Sequence, residues 1–276
     1  MKRLALLLTA LVLLWGLSAP AFALEDGDPV GALSRAPKAP EDETPYITQC
    51  ELGSMTGDAV RKAAGSDIAL VSAADLTGRL PSGLVTWADV KAVLRNDGAL
   101  VRAEITPAAL YALLEAAVSH IELDTTTERI AKGSEVFAGF CQVSGFRFQY
   151  DVSAPVGERV LAVTLEDETE LTRGDDTTSL TLAAPAELLD GTLGLPVVDY
   201  ETLDLTQAEA LAAYIADHPT VMEGEADRIT MIGSRDRPLV GIFPKGVLAG
   251  GVAVLIVLLA VWRMRYNRIR EEYGNQ

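Results

Sequence analysis

From Gly246 to Trp262 the chain reads GVLAGGVAVLIVLLAVW, without a charge and without a polar face. A helix packed in a soluble core keeps a polar side. With Phe243, Pro244 and Lys245 the run reaches about 20 residues, which at about 1.5 Å of rise per residue covers a hydrocarbon core of roughly 30 Å. The expectation is a transmembrane helix over residues 243–262. Lys245 extends its stem toward one interface, and Trp262 suits the other. Arg263, Arg265, Arg268 and Arg270 follow closely. Short basic flanks stay cytoplasmic, so 263–276 is expected as a cytoplasmic basic tail and the long N-terminal part lies outside.

The other end is consistent with export. Met1-Lys2-Arg3 is followed by an apolar stretch to Leu17 and by Ala21-Phe22-Ala23. Positive start, apolar run and small-x-small site together read as a signal peptide over 1–23, cleaved between Ala23 and Leu24. The expected location is the cell membrane, with a single pass and an extracytoplasmic domain. The formal net charge is −16, and the acidic residues concentrate between the two apolar ends. Such a domain repels nucleic acid and anionic lipid as main partners. Both cysteines, Cys50 and Cys141, fall in this exported part. They could pair as a disulfide, worth about 4 kcal/mol for a long loop, or sit as two buried thiols acting as small hydrophobes; spacing leaves both open.

Residues 24–44, rich in Pro, Gly and charge, read as a flexible leader. Residues 45–233 suffice for one domain with its own core, and 234–242 form a linker. Within the domain, helix and strand signals mix. Leu52 to Ala64 is amphipathic. Thr86 to Asp89 and Thr206 to Glu209 have capping-box spacing, and Thr106-Pro107 reads as an N-cap with proline at the first helical position. The helix after it places Leu110, Leu113, Leu114 and Ala117 on one face. Strands are expected at Ile68 to Val71, Ala99 to Ile105, Phe140 to Tyr150, Arg159 to Leu165, Ser179 to Ala183 and Arg228 to Ile232. With no regular βαβ rhythm, the class is α+β, a single domain built on one mixed sheet.

Several stretches carry a resemblance: ELGSMTGDAVRKA, then LPSGLVTWADV, then QVSGFRFQYD, then ALAAYIADHPTV and DRITMIG, in that order. They resemble the C-terminal domain of the bacterial 5′-nucleotidase and UDP-sugar hydrolase family. The resemblance implies that this domain is the second half of an enzyme of nucleotide catabolism. Its partner half is a two-metal phosphatase domain, and the second half grips base and sugar. No stretch of this sequence resembles the metallophosphatase half. Two metal ions call for clusters of His and carboxylates, whereas the sequence has two histidines. His120 and His218 both fall at helix ends and are read as helix-dipole partners. No catalytic residue, metal ligand or cofactor is assigned.

The resemblance also locates a nucleoside pocket, and here the sequence departs from the family. Where the pattern runs Asn-x-Gly-Gly-Ile-Arg, this chain has Ser72-Ala73-Ala74-Asp75-Leu76-Thr77, so Thr77 replaces the ligand-binding arginine and only Arg79 could substitute. Where the pattern has Pro-Phe-Gly-Asn, the chain has Arg95-Asn96-Asp97-Gly98, so Asn96 replaces one aromatic wall and Gly98 the final asparagine. Where the pattern ends Gly-Gly-Asp-Gly-Phe/Tyr, the chain has Gly191-Thr192-Leu193-Gly194-Leu195, so Leu195 replaces the other wall. Each stacking ring is worth about 1–3 kcal/mol to a bound base. The expected site is therefore a degenerate pocket of Ser72, Thr77, Arg79, Asn96, Gly98 and Leu195. Three readings follow: a non-catalytic interaction or surface module, a substrate-binding subunit that pairs with a separate metallophosphatase, and an active nucleotidase with unrecognised metal ligands.

Overall fold

The computed structural model describes residues 24–38, 46–134, 136–218 and 227–235. The chain order of elements is β1 (Pro29–Leu33), α1 (Glu51–Ala64), β2 (Ile68–Ser72), β3 (Gly83–Thr86), α2 (Trp87–Ala92), β4 (Ala99–Ile105), α3 (Pro107–Val118), β5 (Cys141–Ser144), β6 (Phe146–Asp151), β7 (Val160–Leu165), β8 (Leu180–Pro185), β9 (Glu201–Thr206), α4 (Gln207–Asp217) and β10 (Ile229–Ile232).

These strands make three sheets. The largest has the order β5-β2-β8-β4-β9, with β2 and β8 parallel and its other pairs antiparallel. A second runs β10-β6-β7, with β10 parallel to β6. β1 and β3 form an antiparallel ribbon. The expectation of a single mixed sheet is corrected on this point, and Gly145 supplies the physical reason. Its φ is +85°, and a Cβ there would lie 2.3 Å from the Asp67 carbonyl oxygen. The run from Phe140 to Tyr150 therefore breaks at this residue, and its halves, β5 and β6, enter different sheets. The expected C-terminal membrane helix needs correcting too. No helix among the described residues is long and apolar enough to cross a membrane, and 243–262 lies outside them, as do the signal segment 1–23 and the tail 263–276.

β2 is buried along its whole length. Ile68 and Leu70 face one apolar cluster and Ala69 and Val71 another, as alternation on a strand covered on both faces requires. The helices begin where their caps place them. Thr86 with Asp89 and Thr206 with Glu209 form reciprocal capping boxes, and Thr106 accepts from the Ala109 amide ahead of Pro107. α3 turns Leu110, Leu113, Leu114 and Ala117 into the main core.

Part of the stretch read as a flexible leader is structured. Leu33 and the partly buried Val30 pack in the cluster that holds Ile215 of α4. The Asp28 and Asp26 carbonyls accept from the Trp87 and Ala88 amides, at 2.9 and 3.0 Å. Composition signals disorder when a segment has too little apolar surface to bury; here two side chains and a row of backbone bonds suffice.

Two buried polar networks lock the layers. Arg228, just before β10, grips Asp58 of α1. Glu115 of α3 accepts from the Arg159 and Val160 amides and from Arg173. The Arg159 guanidinium in turn donates to the carbonyls of Val118, Ser119 and Ile121, satisfying the C-terminal end of α3.

Candidate functional site

β2 and β8 are parallel neighbours, so the chain leaves both at the same end of the sheet, each time through one 3-10 turn: Ala73–Asp75 after β2 and Ala186–Leu188 after β8. The segments expected to build the pocket start here, and each of them is engaged within the protein. Ser72 is buried; its hydroxyl donates to the Ala138 carbonyl at 2.9 Å and accepts from the Ala74 amide at 3.2 Å. Thr77 lies against the end of α2, its amide donating to the Val93 carbonyl at 2.9 Å and its hydroxyl to the Ala92 carbonyl at 3.2 Å. Arg79 is exposed two residues further on. Asn96 Nδ2 donates to Asp75 Oδ1 at 2.9 Å. Gly98 is exposed, with nothing near the space a Cβ would take. Leu195 is 4% exposed and belongs to the main core.

The structure thus brings Asn96 to Asp75 and places Leu195 in the main core. Surface grooves lie elsewhere among the described residues. One of about 150 Å³ sits between Ala59 and Lys62 of α1 and Tyr214 of α4, and one of about 500 Å³ is lined by Arg102, Glu104, Tyr200 and Glu201. Neither is lined by any of the six expected residues.

The residues that sequence reasoning missed are Asp75 and Glu187. Asp75 is 3% exposed, and its Oδ2 is buried without a hydrogen-bond partner. Glu187, in the turn after β8, is its acidic neighbour. Burial first, and then the neighbouring Glu187, push the Asp75 carboxyl up to about 8, against the opposing pull of the Asn96 amide and the Arg95 charge. One signal for Asp75 lay in the sequence: a carboxylate where the family pattern has glycine. Nothing local marks Glu187.

The two cysteines are buried thiols and not a disulfide. Cys50 Sγ accepts from the Gly53 amide at 3.3 Å and caps α1, while Cys141 Sγ bonds the Gly139 carbonyl at 3.2 Å. Gln142, the neighbour of Cys141 on β5, receives the Cys50 amide at 2.8 Å. Successive strand residues face opposite ways, and the two sulfurs belong to different clusters. Burial pushes the Cys141 thiol up to about 12. Among the described residues no group of three or more His, Cys, Asp and Glu side chains is placed to hold a metal ion. His218 ends α4, with Nδ1 3.0 Å from the Tyr214 carbonyl and its ring stacked on Tyr214. His120, past the end of α3, stacks on Phe137.

The family model described as 5′-nucleotidase, C-terminal domain, matches residues 29–191, more than half of the chain. The chain belongs to the 5′-nucleotidase C-terminal domain family. Solved structures of similar fold include a 5′-nucleotidase precursor from Thermus thermophilus, with a TM-score of 0.61 and 21% identity over 75% of this chain and 40% of that one. A putative 5′-nucleotidase from Staphylococcus aureus gives a TM-score of 0.59 and 13% identity over 75% of this chain and 41% of that one. The NAD nucleotidase of Haemophilus influenzae gives 0.57 and 17% over 75% and 38%. At these identities the likeness shows the fold, and the chain spans about two fifths of the length of these relatives. No curated protein matches the chain by sequence.

Proposed function

We propose that this 5′-nucleotidase C-terminal domain is a non-catalytic interaction module working outside the cytosol, with its nucleoside pocket given over to internal contacts. The observation that carries the reading is the bond from Asn96 to Asp75. Asn96 stands where the resemblance implies an aromatic wall, and Asp75 where it implies glycine. The side chain that would stack on a base is instead tied to a buried carboxyl. Leu195, at the position of the second wall, is a core residue, and Thr77, at the arginine position, bonds the end of α2. Losing two rings at about 1–3 kcal/mol each removes about one and a half to four decades of affinity for a base.

Calorimetry of the purified chain with adenosine, AMP and UDP-glucose tests this directly. The expected result is no heat of binding at millimolar ligand, and micromolar affinity for any of them overturns it. The extracytoplasmic location rests on the charged-apolar N-terminal segment and the acidic domain, and protease accessibility in whole cells checks it.

The match to only about two fifths of each relative favours a second reading. In it, this domain docks a metallophosphatase domain supplied by another segment or another chain. Co-purification with such a partner, together with raised phosphate release from AMP, supports it. A partner that neither binds nor gains activity removes it.

A further inference from the structure

We propose that Asp75 carries a proton and donates it to the neighbouring Glu187 carboxyl, and that this bond keeps closed the end of the sheet where β2 and β8 emerge. The inference needs no ligand and stands apart from the interaction-module reading. It starts from an orphan. Asp75 is 3% exposed; Oδ1 receives Asn96 Nδ2 at 2.9 Å, while Oδ2 is buried with no donor. An ionised carboxylate only accepts hydrogen bonds. Two ionised groups facing each other would leave Oδ2 unsatisfied and place like charges together in a dry site. A proton on Asp75 Oδ2 makes that atom a donor and removes one of the charges.

The charged and polar groups facing Asp75 come from two elements. Glu187 lies in the turn after β8, and Arg95 and Asn96 lie in the loop after α2. The Arg95 guanidinium opposes the effect but leaves Oδ2 without a bond, and its amide is already committed to the Asp75 carbonyl at 2.7 Å. Asp75 therefore joins three segments: its own turn, the loop at Arg95–Asn96 and the turn at Glu187. The last of these leads through Asp190 into the loop that carries Leu195. Removal of the proton sets two negative charges against each other across this junction, and the three segments part. The device is a closure released by base, at the position where the family resemblance implies a ligand pocket.

Backbone hydrogen exchange on the full chain at about pH 6 and about pH 9.5, corrected for the intrinsic chemical rate, reads this opening. The expected result is exchange rising about tenfold or more at the higher pH in 73–79, 95–98 and 186–195, with the strands of the second sheet unchanged. Asp75→Asn and Glu187→Gln should each abolish the rise. Corrected exchange in these segments that does not change with pH overturns the proposal. Carbon-13 carboxyl NMR of the wild-type chain gives a test that no variant can confound. The Asp75 carboxyl should titrate well above the ordinary carboxylate range, and titration of Asp75 within that range overturns the proposal as well.

Discussion

Arg228 and Asp58 are 170 residues apart in sequence and meet in a two-bond clasp, Nη1 to Oδ1 at 2.7 Å and Nη2 to Oδ2 at 3.0 Å. Ser144 of β5 adds a third bond to Oδ1 at 2.5 Å. α1, β5 and β10 are thereby held at one point. The two partners are not equally buried, with side chains 8% exposed for Arg228 and 18% for Asp58. Asp58→Ala strands a buried guanidinium and should cost about 3–5 kcal/mol. Arg228→Met leaves a carboxylate that water can reach and should cost less, about 1–3 kcal/mol. Urea midpoints of the two variants check the order, and a reversed order would show that the arginine mainly supports its neighbours by packing.

Two glycines separate backbone strain from open space. Gly145 has φ +85°, and a Cβ would lie 2.3 Å from the Asp67 carbonyl oxygen. Gly145→Ala should therefore cost at least about 2 kcal/mol, because left-handed backbone alone costs about 1–2 for an L residue. Gly98 has ordinary φ and nothing within 4 Å of the position, so Gly98→Ala should stay within about 0.5 kcal/mol of wild type. Thermal unfolding distinguishes the two.

Asp67 links β2 to β8 through Thr181. Its carboxylate accepts the Thr181 amide at 2.8 Å and the hydroxyl at 2.7 Å, and these bonds hold it below the usual carboxylate range. A carboxyl lowered in the fold contributes stability above its unfolded value and loses it as pH falls through the folded value. Asp67→Asn should flatten the acid side of the stability curve below about pH 4, with a loss at neutral pH under about 1 kcal/mol because solvent screens the site. An acid limb identical to wild type would assign the loss to other carboxylates.

The thiols give a check on the sheet geometry. Without reductant, a thiol reagent should find both cysteines in denaturant and react with neither on the native chain within minutes. The buried Cys141 is poor in the reactive thiolate form, and Cys50 is 1% exposed. Absence of reactive thiols in denaturant would show that the two sulfurs do pair.

Local chemistry was legible in the sequence, and long-range pairing was not. The capping boxes at Thr86 and Thr206 and the Thr106-Pro107 start each involve residues a few positions apart, so spacing announces them. β1 could not be read that way. Its ladder partner β3 and its packing partner Ile215 lie far along the chain, and composition alone argued for disorder. The strand at Phe140 to Tyr150 showed continuous patterning, yet it divides between two sheets at Gly145, whose positive φ and closeness to the Asp67 carbonyl, in the turn before β2, admit only glycine. At the candidate site, the departures of Thr77, Asn96 and Leu195 from the family pattern were visible residue by residue. Their contacts were not, since the Asn96 bond to Asp75 spans 21 residues and Glu187 arrives from a strand end that no local signal marks.

The bond from Asn96 to Asp75 also decides whether the pocket can be recovered. Asn96→Phe restores the ring that the family resemblance implies, but it removes the donor to Asp75 Oδ1, and Oδ2 already lacks one. A buried acceptor left unpaired costs about 1–3 kcal/mol, so the variant should be less stable than wild type by that amount and should still give no heat with AMP. Adding Asp75→Gly removes the unpaired acceptor and should recover part of the loss, the remainder reflecting the contact with Glu187 and the space the side chain filled. Nucleotide binding should remain absent in the double variant, because Thr77 supplies no guanidinium and Leu195 stays in the core. If Asn96→Phe alone gained measurable affinity for AMP without losing stability, the side chains now filling this locus would be loose occupants of a working pocket.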